Sequence, residues 1–148
     1  RLVLADCVAR FSDPGRDAIR QMGDKAEQSG MCSIAEIAAR RIYHDVYVDA
    51  HPEEVKSRRE ALLRMNPDSF LRACRIAQTL DLRPHLGDVR TPTLVVYGEL
   101  DQATPPALNS EVAATLRAES VAIPNCGHCP PLECPTAFLS AITPFLTA

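Results

Sequence analysis

No stretch of this 148-residue sequence is long and apolar enough to cross a membrane, since its apolar runs are only a few residues long and a spanning helix needs about 20. A basic stripe with interleaved aromatic residues is also absent. The 16 lysines and arginines stand against 19 aspartates and glutamates, which gives a net charge of −3. This balance lacks the electrostatic footprint of a nucleic-acid-binding domain. We therefore expect no membrane or nucleic acid as partner, but a small molecule or another protein.

The sequence begins without a methionine and without a secretion signal. In the opening segment RLVLADC the apolar stretch is too short for a signal, and Asp6 ends it. These residues are typical of the interior of a longer chain, and we expect a cytoplasmic location. Nothing indicates a small secreted scaffold stabilised by disulfides, so we predict reduced thiols at all the cysteines. The cysteines are Cys7, Cys32, Cys74, Cys126, Cys129 and Cys134.

Three short, continuous apolar runs predict strands that are buried on both faces. They are LVLA at residues 2 to 5, TLVVY at residues 93 to 97 and SVAI at residues 120 to 123. Amphipathic helices are predicted after the second and third strands, at residues 106 to 118 and at the end of the chain, where Pro144 should kink or fray the helix. Buried strands that alternate with amphipathic helices are typical of an α/β protein with a doubly wound parallel sheet.

The long segment between the first and second predicted strands has the pattern of helices. Asp13 and Asn66, each followed by a proline, are predicted N-caps, and Ser33 with Glu36 forms a predicted capping box. Four helices are expected here, near residues 14 to 29, 33 to 44, 52 to 65 and 67 to 80.

Two predicted loops at the carboxyl ends of strands carry titratable side chains. They are GELDQATPP after the second strand and PNCGHCPP after the third, and chemistry in an open α/β sheet collects at this edge. Asp101 could accept a hydrogen bond from one ring nitrogen of His128, as in the orienting half of a nucleophilic triad. Glu99 is the second candidate for the acid, and Asp6 is either an alternative acid or a cap at the end of its strand.

The stretch CGHC, residues 126 to 129, also allows two minor hypotheses, a thiol–disulfide centre and a zinc site. A redox motif of this kind begins a helix at its first cysteine, which Pro130 and Pro131 would disrupt at once. A zinc site could recruit cysteines and His128, but the second Cys-x-x-Cys pair is missing and adjacent ligands would crowd the metal.

Together these motifs resemble the C-terminal part of an α/β-hydrolase. The family pattern is Gly-x-x-Asp-x-x-x-Pro after one strand, Gly-His after the next, and Glu-x-Pro before the last helix. The matching residues are Gly98, Asp101 and Pro105, then Gly127 and His128, then Glu133 and Pro135. LVLADC and the helical segment after it resemble the sixth strand and the cap of that fold. Among subfamilies, the chain is most similar to 3-oxoadipate enol-lactonases, which open a lactone in bacterial aromatic catabolism.

The resemblance implies that residues 1 to 11 and 86 to 148 belong to the hydrolase core and residues 12 to 85 to an all-helical cap. It also implies that His128 is the catalytic base, that Asp101 is its acid partner and that no metal or organic cofactor is needed. The nucleophile elbow Gly-x-Ser-x-Gly, which precedes the sixth strand in the family, does not occur in this sequence. We therefore interpret the chain as the part of a hydrolase that carries cap, acid and base, inactive by itself.

Other functions stay open at this level. A related carboxylesterase or carbon–carbon-bond hydrolase would use the same triad, and a non-catalytic fragment or interaction module is a further alternative. In either case the first strand would present an open sheet edge, which would pair with the missing N-terminal half or with another copy. A cap arginine could hold a substrate carboxylate, or these side chains are simply solvated. The candidates are Arg40, Arg41, Arg72 and Arg75.

Overall fold

The computed structural model describes all 148 residues. Its strands are β1 (Leu2–Ala5), β2 (Thr93–Gly98) and β3 (Glu119–Ile123). Its helices are α1 (Asp13–Ser29), α2 (Ala35–Arg40), α3 (Asp45–Ala50), α4 (Pro52–Arg64), α5 (Pro67–Thr79), α6 (Arg83–Leu86), α7 (Pro106–Leu116), α8 (Pro130–Glu133) and α9 (Pro135–Thr147), with a 3-10 helix at Met31–Ser33.

The three strands form one parallel sheet in the order β1-β2-β3. In the register, Leu4 stands opposite Val95, and Val95 stands opposite Ser120. Every residue of the central strand β2 is buried, because strands cover both of its edges and side chains from the rest of the chain cover both of its faces. Such a strand is a continuous apolar run, which is why its position was predictable. The predicted α/β class is confirmed.

Alternate residues of β2 feed two separate hydrophobic clusters. Val95 and Tyr97 point to the side where Val112 of α7 packs, whereas Leu94 and Val96 point to the opposite side. Each fully buried valine of this kind stabilises the fold by about 1.5–3 kcal/mol. On the second side, the C-terminal helix α9, which was predicted to be amphipathic, supplies an apolar stripe of Phe138, Ala141, Ile142 and Phe145. The sheet is thus covered by a helix on each face.

By its internal contacts the chain divides into two compact units. The sheet unit comprises Arg1–Arg10, Ile42–His44 and Asp81–Ala148, and the helical unit comprises Phe11–Arg41 and Asp45–Leu80. In the helical unit α1 packs on α5 and α2 packs on α4, around a small core of Ala26, Met31 and Ile34. None of the helices combines the length and the apolar character that a bilayer crossing requires.

The helix predicted over residues 33 to 44 is present only in its middle part, and both of its predicted ends are wrong. The segment starts as a 3-10 helix, continues as α2 and ends at Arg40, and α3 was not predicted. The capping box does not form, since the Ser33 hydroxyl donates backwards to the carbonyl oxygens of Gly30, at 2.7 Å, and Lys25, at 3.2 Å. The hydroxyl is thus directed at the preceding turn, and α2 begins after Ile34 without any side-chain cap.

The other predicted helix starts are partly correct. Asn66 caps α5 by accepting from the backbone N–H of Ser69 at 3.0 Å. At α1, however, the cap is Ser12, whose hydroxyl accepts from Gly15 at 3.2 Å, and Asp13 lies in the first turn instead. The helix α9 runs through Pro144 to Thr147, so the proline removes one donor without ending the helix.

Candidate active site

The carboxyl ends of β2 and β3 lie at the same edge of the sheet, since the strands are parallel and adjacent. Two backbone hydrogen bonds join the loops that follow them. The N–H of Glu99 donates to the carbonyl of Ile123 at 3.0 Å, and the N–H of Leu100 donates to the carbonyl of Cys126 at 2.9 Å. These bonds hold the loop after β2 against the loop after β3.

Two glycines make this close approach possible. A Cβ atom on Gly98 would lie 1.9 Å from the carbonyl oxygen of Gly127, and a Cβ on Gly127 would lie 2.6 Å from the backbone nitrogen of His44. Neither space can hold a methyl group, and both obstructing atoms belong to the backbone. The glycines of the two sequence motifs are therefore required by the packing of the loops.

Asp101, in the loop after β2, has a buried carboxylate that is only 3% exposed. Its Oδ1 accepts from the backbone N–H of Ala103 at 2.7 Å and of Thr104 at 2.9 Å, and its Oδ2 accepts from the Thr104 hydroxyl at 2.6 Å. The side chain thus folds its own loop into a turn. These donors fix the carboxylate in one orientation.

His128 lies on the loop after β3, and its ring reaches this carboxylate. Nδ1 stands 2.8 Å from Asp101 Oδ2 and 3.2 Å from the Thr104 hydroxyl. A carboxylate only accepts, so Nδ1 carries the proton and Nε2 is the basic nitrogen. The backbone N–H of His128 donates to the carbonyl of Ile42 at 3.1 Å, and its side chain is 26% exposed. One ring nitrogen is thus oriented by an acid, and the ring retains access to solvent.

The two groups shift each other's pKa in opposite directions. Burial alone raises the pKa of Asp101, but hydrogen bonds from His128 and Thr104 outweigh it, so the net pKa lies below the usual range. Burial alone lowers the pKa of His128, but the hydrogen bond to Asp101 and its negative charge outweigh this, so the net pKa is raised. The pair therefore favours an ionised acid beside a histidine that holds a proton more tightly than usual.

The carboxylate of Glu133 fixes the backbone around His128. Its Oε2 accepts from the N–H of Gly127 at 3.1 Å and of His44 at 2.9 Å, and its Oε1 accepts from the N–H of Cys129 at 2.9 Å. The residues on both sides of the histidine are therefore hydrogen-bonded to one side chain. Glu133 appeared in the sequence only as a motif match, since its partners come from separate segments.

A second buried carboxylate, that of Asp6, adjoins the pair. Asp6 directly follows β1, has a positive φ of 46°, is 8% exposed, and accepts from the backbone N–H of Gly98 at 2.9 Å. One side-chain atom each of Asp6, Asp101 and His128 lie within 4.8 Å of one another. Burial, followed by the charge of Asp101, raises the pKa of Asp6 to about 7. Its bond to Gly98 shows that it caps the neighbouring strand rather than its own.

The cysteines of CGHC do not form the alternative sites. Cys126 is fully buried in the hydrophobic cluster of Leu94, Val96 and Ile123, and burial raises the pKa of its thiol. A reactive cysteine needs the opposite shift. The helix after the motif begins at Pro130, no disulfide links the six cysteines, and the one cluster with metal-ligand spacing contains no cysteine. Neither the redox nor the zinc hypothesis gains support.

The remaining candidates lie elsewhere. Glu99 is exposed. Among the arginines considered for substrate binding, Arg40 lies 4.0 Å from Glu36 and Arg75 lies 3.3 Å from Glu27, both within the helical unit. Arg41 and Arg72 also lie there, half-buried and exposed respectively.

A parallel sheet with helices on both faces and a histidine–aspartate pair at its carboxyl edge is the arrangement of an α/β enzyme of the hydrolase type. The chain belongs to the alpha/beta hydrolase family, whose model matches residues 2–141. Three parallel strands with flanking helices correspond to part of that fold.

Known relatives agree with this family. A 3-oxoadipate enol-lactonase of Acinetobacter baylyi is 22% identical over 142 residues, which cover 96% of this chain and 52% of the lactonase. A pimeloyl-[acyl-carrier protein] methyl ester esterase of Nitrosomonas europaea is 36% identical over 86 residues, covering 55% of this chain and 34% of the esterase. The crystal structure of an enol-lactonase from Burkholderia xenovorans has a TM-score of 0.89 and 25% identity, covering 99% of this chain and 55% of that one. The chain spans about a third to a half of these relatives' length.

Proposed function

We propose that this chain supplies the base and its acid partner to a serine-type hydrolase that cleaves a small carboxylic ester or lactone. The observation that carries the proposal is the 2.8 Å contact between His128 Nδ1 and the buried Asp101 Oδ2 at the carboxyl edge of the sheet. Family membership supports the reaction class, since hydrolysis of small esters is common in this family.

In the proposed mechanism, Nε2 of His128 takes the proton from a serine hydroxyl while the serine oxygen attacks the carbonyl carbon of the substrate. Asp101 keeps the proton on Nδ1 and stabilises the imidazolium that forms. His128 then returns the proton to the leaving oxygen and activates a water molecule, which releases the acyl group. No step requires a metal or an organic cofactor.

The nucleophile would come from polypeptide outside this sequence, which contains no Gly-x-Ser-x-Gly. β1 pairs with β2 on one side only, so its other edge has backbone groups available for a further strand. A cavity of about 300 Å³ is lined mainly by apolar side chains, which include Leu2 and Leu4 of β1 and Leu116 of α7. We propose that the segment with the nucleophile pairs with this edge, and that the isolated chain otherwise associates with itself there.

For the substrate, we propose 3-oxoadipate enol-lactone first. The similarity to two enol-lactonases extends over nearly the whole chain, including the helical unit. A methyl ester is the second candidate, because the relative with the higher identity, over a shorter stretch, is a methyl ester esterase.

The test compares the chain alone with the chain joined to the nucleophile segment, on p-nitrophenyl acetate, the enol-lactone and a dicarboxylic acid methyl ester. We expect turnover only when the nucleophile segment is present, and we expect His128→Ala to abolish this turnover. The control His85→Ala should retain it, since His85 is exposed on α6. Turnover by the chain alone, or turnover that survives His128→Ala, would refute the proposal. Light scattering on the chain alone tests the proposed self-association through the open edge of β1, and a monomer would contradict that part of the proposal.

A further inference from the structure

The second oxygen of the Asp6 carboxyl group is the one buried side-chain oxygen or nitrogen without a hydrogen-bond partner in this structure. The first oxygen accepts from Gly98, but Oδ2 has no donor, although the residue is only 8% exposed. A buried, unsatisfied, ionised oxygen is costly enough that such groups are rare in native proteins. Its protonation state therefore needs an explanation.

Among the groups around Asp6, only a protonated His128 is a cation, and none donates a hydrogen bond to Asp6 Oδ2. The titratable groups that interact with it are Asp101, His128, Cys7 and Cys126. Asp101 is a second carboxylate, Nδ1 of His128 already donates to Asp101, and burial raises the pKa of both thiols, which keeps them neutral. Two carboxyl groups so close in a buried site share a proton rather than ionise together.

Asp6 is the carboxyl group that holds the shared proton, because more hydrogen-bond donors stabilise the ionised form of Asp101. Three protein donors besides the imidazole converge on the Asp101 carboxylate, whereas Asp6 has a single one. The pKa directions agree, since the pKa is raised for Asp6 and lowered for Asp101, and the nearby negative charge of Asp101 is among the causes of the shift at Asp6.

We propose that Asp6 is a neutral carboxylic acid whose Oδ2–H donates to the Asp101 carboxylate, so that Asp6 is a positioning residue for the pair of Asp101 and His128. The role in catalysis rests on the proposed function, but the hydrogen bond does not. A neutral Asp6 fixes the acid without adding charge beside His128. When Asp6 ionises, its charge raises the pKa of His128, so the basicity of the histidine depends on this proton.

Two variants separate the donor from the charge. Asp6→Asn has nearly the same shape, stays neutral, and can accept from Gly98 with its oxygen while its NH₂ group donates to Asp101. Asp6→Ala removes the donor. Asp88→Asn is the matched control, since that aspartate is exposed in the same unit.

The experiment follows the Asp6 carboxyl carbon and the His128 ring by NMR as a function of pH, in the protein containing the nucleophile segment. His128→Ala identifies the ring signal among the four histidines. We expect the Asp6 carboxyl group to titrate near pH 7, as its raised pKa of about 7 requires. In Asp6→Asn the His128 midpoint falls below that of the wild type, whereas Asp88→Asn leaves it in place. Asp6→Ala should lower kcat about 10-fold with little change in KM, and Asp6→Asn should recover most of that loss.

An Asp6 carboxyl group that titrates as an ordinary aspartate would overturn the inference, as would a His128 midpoint that is the same in wild type and Asp6→Asn. A carboxyl signal that responds to removal of metal by EDTA rather than to pH would also overturn it, in favour of an ion at this cluster. If Asp6→Ala does not fold, the titrations of wild type and Asp6→Asn decide. Titrations as expected in a protein inert towards every ester would refute the proposed function and leave the Asp6 hydrogen bond supported.

Discussion

Replacing Glu133 by alanine removes the acceptor of three backbone N–H groups, those of Gly127, Cys129 and His44. Two of these flank His128 directly, and the third belongs to the short segment whose carbonyl at Ile42 accepts from the N–H of His128. The substitution therefore loosens the histidine loop from both sides at once. We expect a loss of stability together with a loss of activity.

The size of the effect follows from the number of bonds. A hydrogen bond to a charged group contributes about 1.5–3 kcal/mol when buried. Glu133 is only half-buried, so water replaces part of each bond, and about 1 kcal/mol per bond, or about 3 kcal/mol in all, is the expected loss. For a protein of this size that corresponds to a decrease of about 6–12 °C in Tm. A displacement of the histidine by about 1 Å would lower kcat about 100-fold.

Urea unfolding followed by circular dichroism measures the stability change, and ester hydrolysis measures kcat. Glu99→Ala is the matched control, since it removes an exposed glutamate from the neighbouring loop without removing a hydrogen bond. The stability and kcat of Glu133→Gln should lie between those of Glu133→Ala and Glu99→Ala. The amide oxygen can keep the bonds to Gly127 and His44, but the NH₂ group faces the N–H of Cys129 and cannot accept from it. A free energy of unfolding for Glu133→Ala within about 0.5 kcal/mol of the control would show that the three bonds do not hold the loop.

Three further predictions concern the same loops. Asp101→Asn should lower kcat of the intact hydrolase about 10⁴-fold, because the amide no longer selects the tautomer of His128; activity within 10-fold of wild type, in steady-state kinetics, would contradict this. Gly98→Ala should prevent stable folding, because its Cβ would lie 1.9 Å from a backbone oxygen, whereas Gly87→Ala, with open space around the Cβ, should change the Tm by no more than about 2 °C; equal melting temperatures would refute the packing argument. The raised pKa of Asp6, from 3.8 to about 7, means that the folded state binds a proton more tightly than the unfolded state, so its stabilising contribution is complete below pH 3.8 and decreases as the pH rises to about 7. Asp6→Asn should therefore gain more stability over wild type at pH 8 than at pH 5 in urea unfolding, and an equal difference at both pH values would argue against a buried proton.

Asp101 and His128 contribute to folding stability with opposite dependences on pH. Asp101 has a lowered pKa, so its contribution to stability is present above the unfolded value of 3.8 and is lost as the pH falls through the folded pKa. His128 has a raised pKa, so its contribution is complete below the unfolded value of 6.5 and is lost as the pH rises through the folded pKa. Both contributions to stability are therefore present between pH 3.8 and pH 6.5, the two unfolded values.

Local patterns were sufficient for the strands and for the two loops. LVLA, TLVVY and SVAI each form a strand, with β2 and β3 one residue longer than predicted. Burial on both faces, which was predicted for all three, holds only for the central strand β2. β1 and β3 are the edges of the sheet and leave several residues exposed. Asp101 and His128 were predicted from their positions directly after two of these strands. The loops that follow neighbouring parallel strands meet at one edge of the sheet. The structure brings these two side chains together, and their catalytic role stays a prediction.

The helical segment shows where local patterns fail. Ser33 and Glu36 have the spacing of a capping box, but in the structure the Ser33 hydroxyl donates to the carbonyl oxygens of Lys25 and Gly30 instead. The predicted helix through residue 44 ends at Arg40, and Ile42–His44 belong to the sheet unit, where the backbone N–H of His44 donates to Glu133. A contact between residues 89 positions apart has no signature in a window of ten.

The sequence by itself determined the fold class through apolar periodicity, the two residues of the proposed acid–base pair through the loops at the strand ends, and the family through the resemblance of these motifs to a known pattern. All of these are local properties of the chain. Only the tertiary structure decided that Glu133 fixes the histidine loop, that Gly98 must lack a side chain, and that Asp6 is a buried acid without a donor for its second oxygen. Each of these depends on atoms from segments far apart in sequence. Burial and hydrogen-bond partners exist only once those segments pack together.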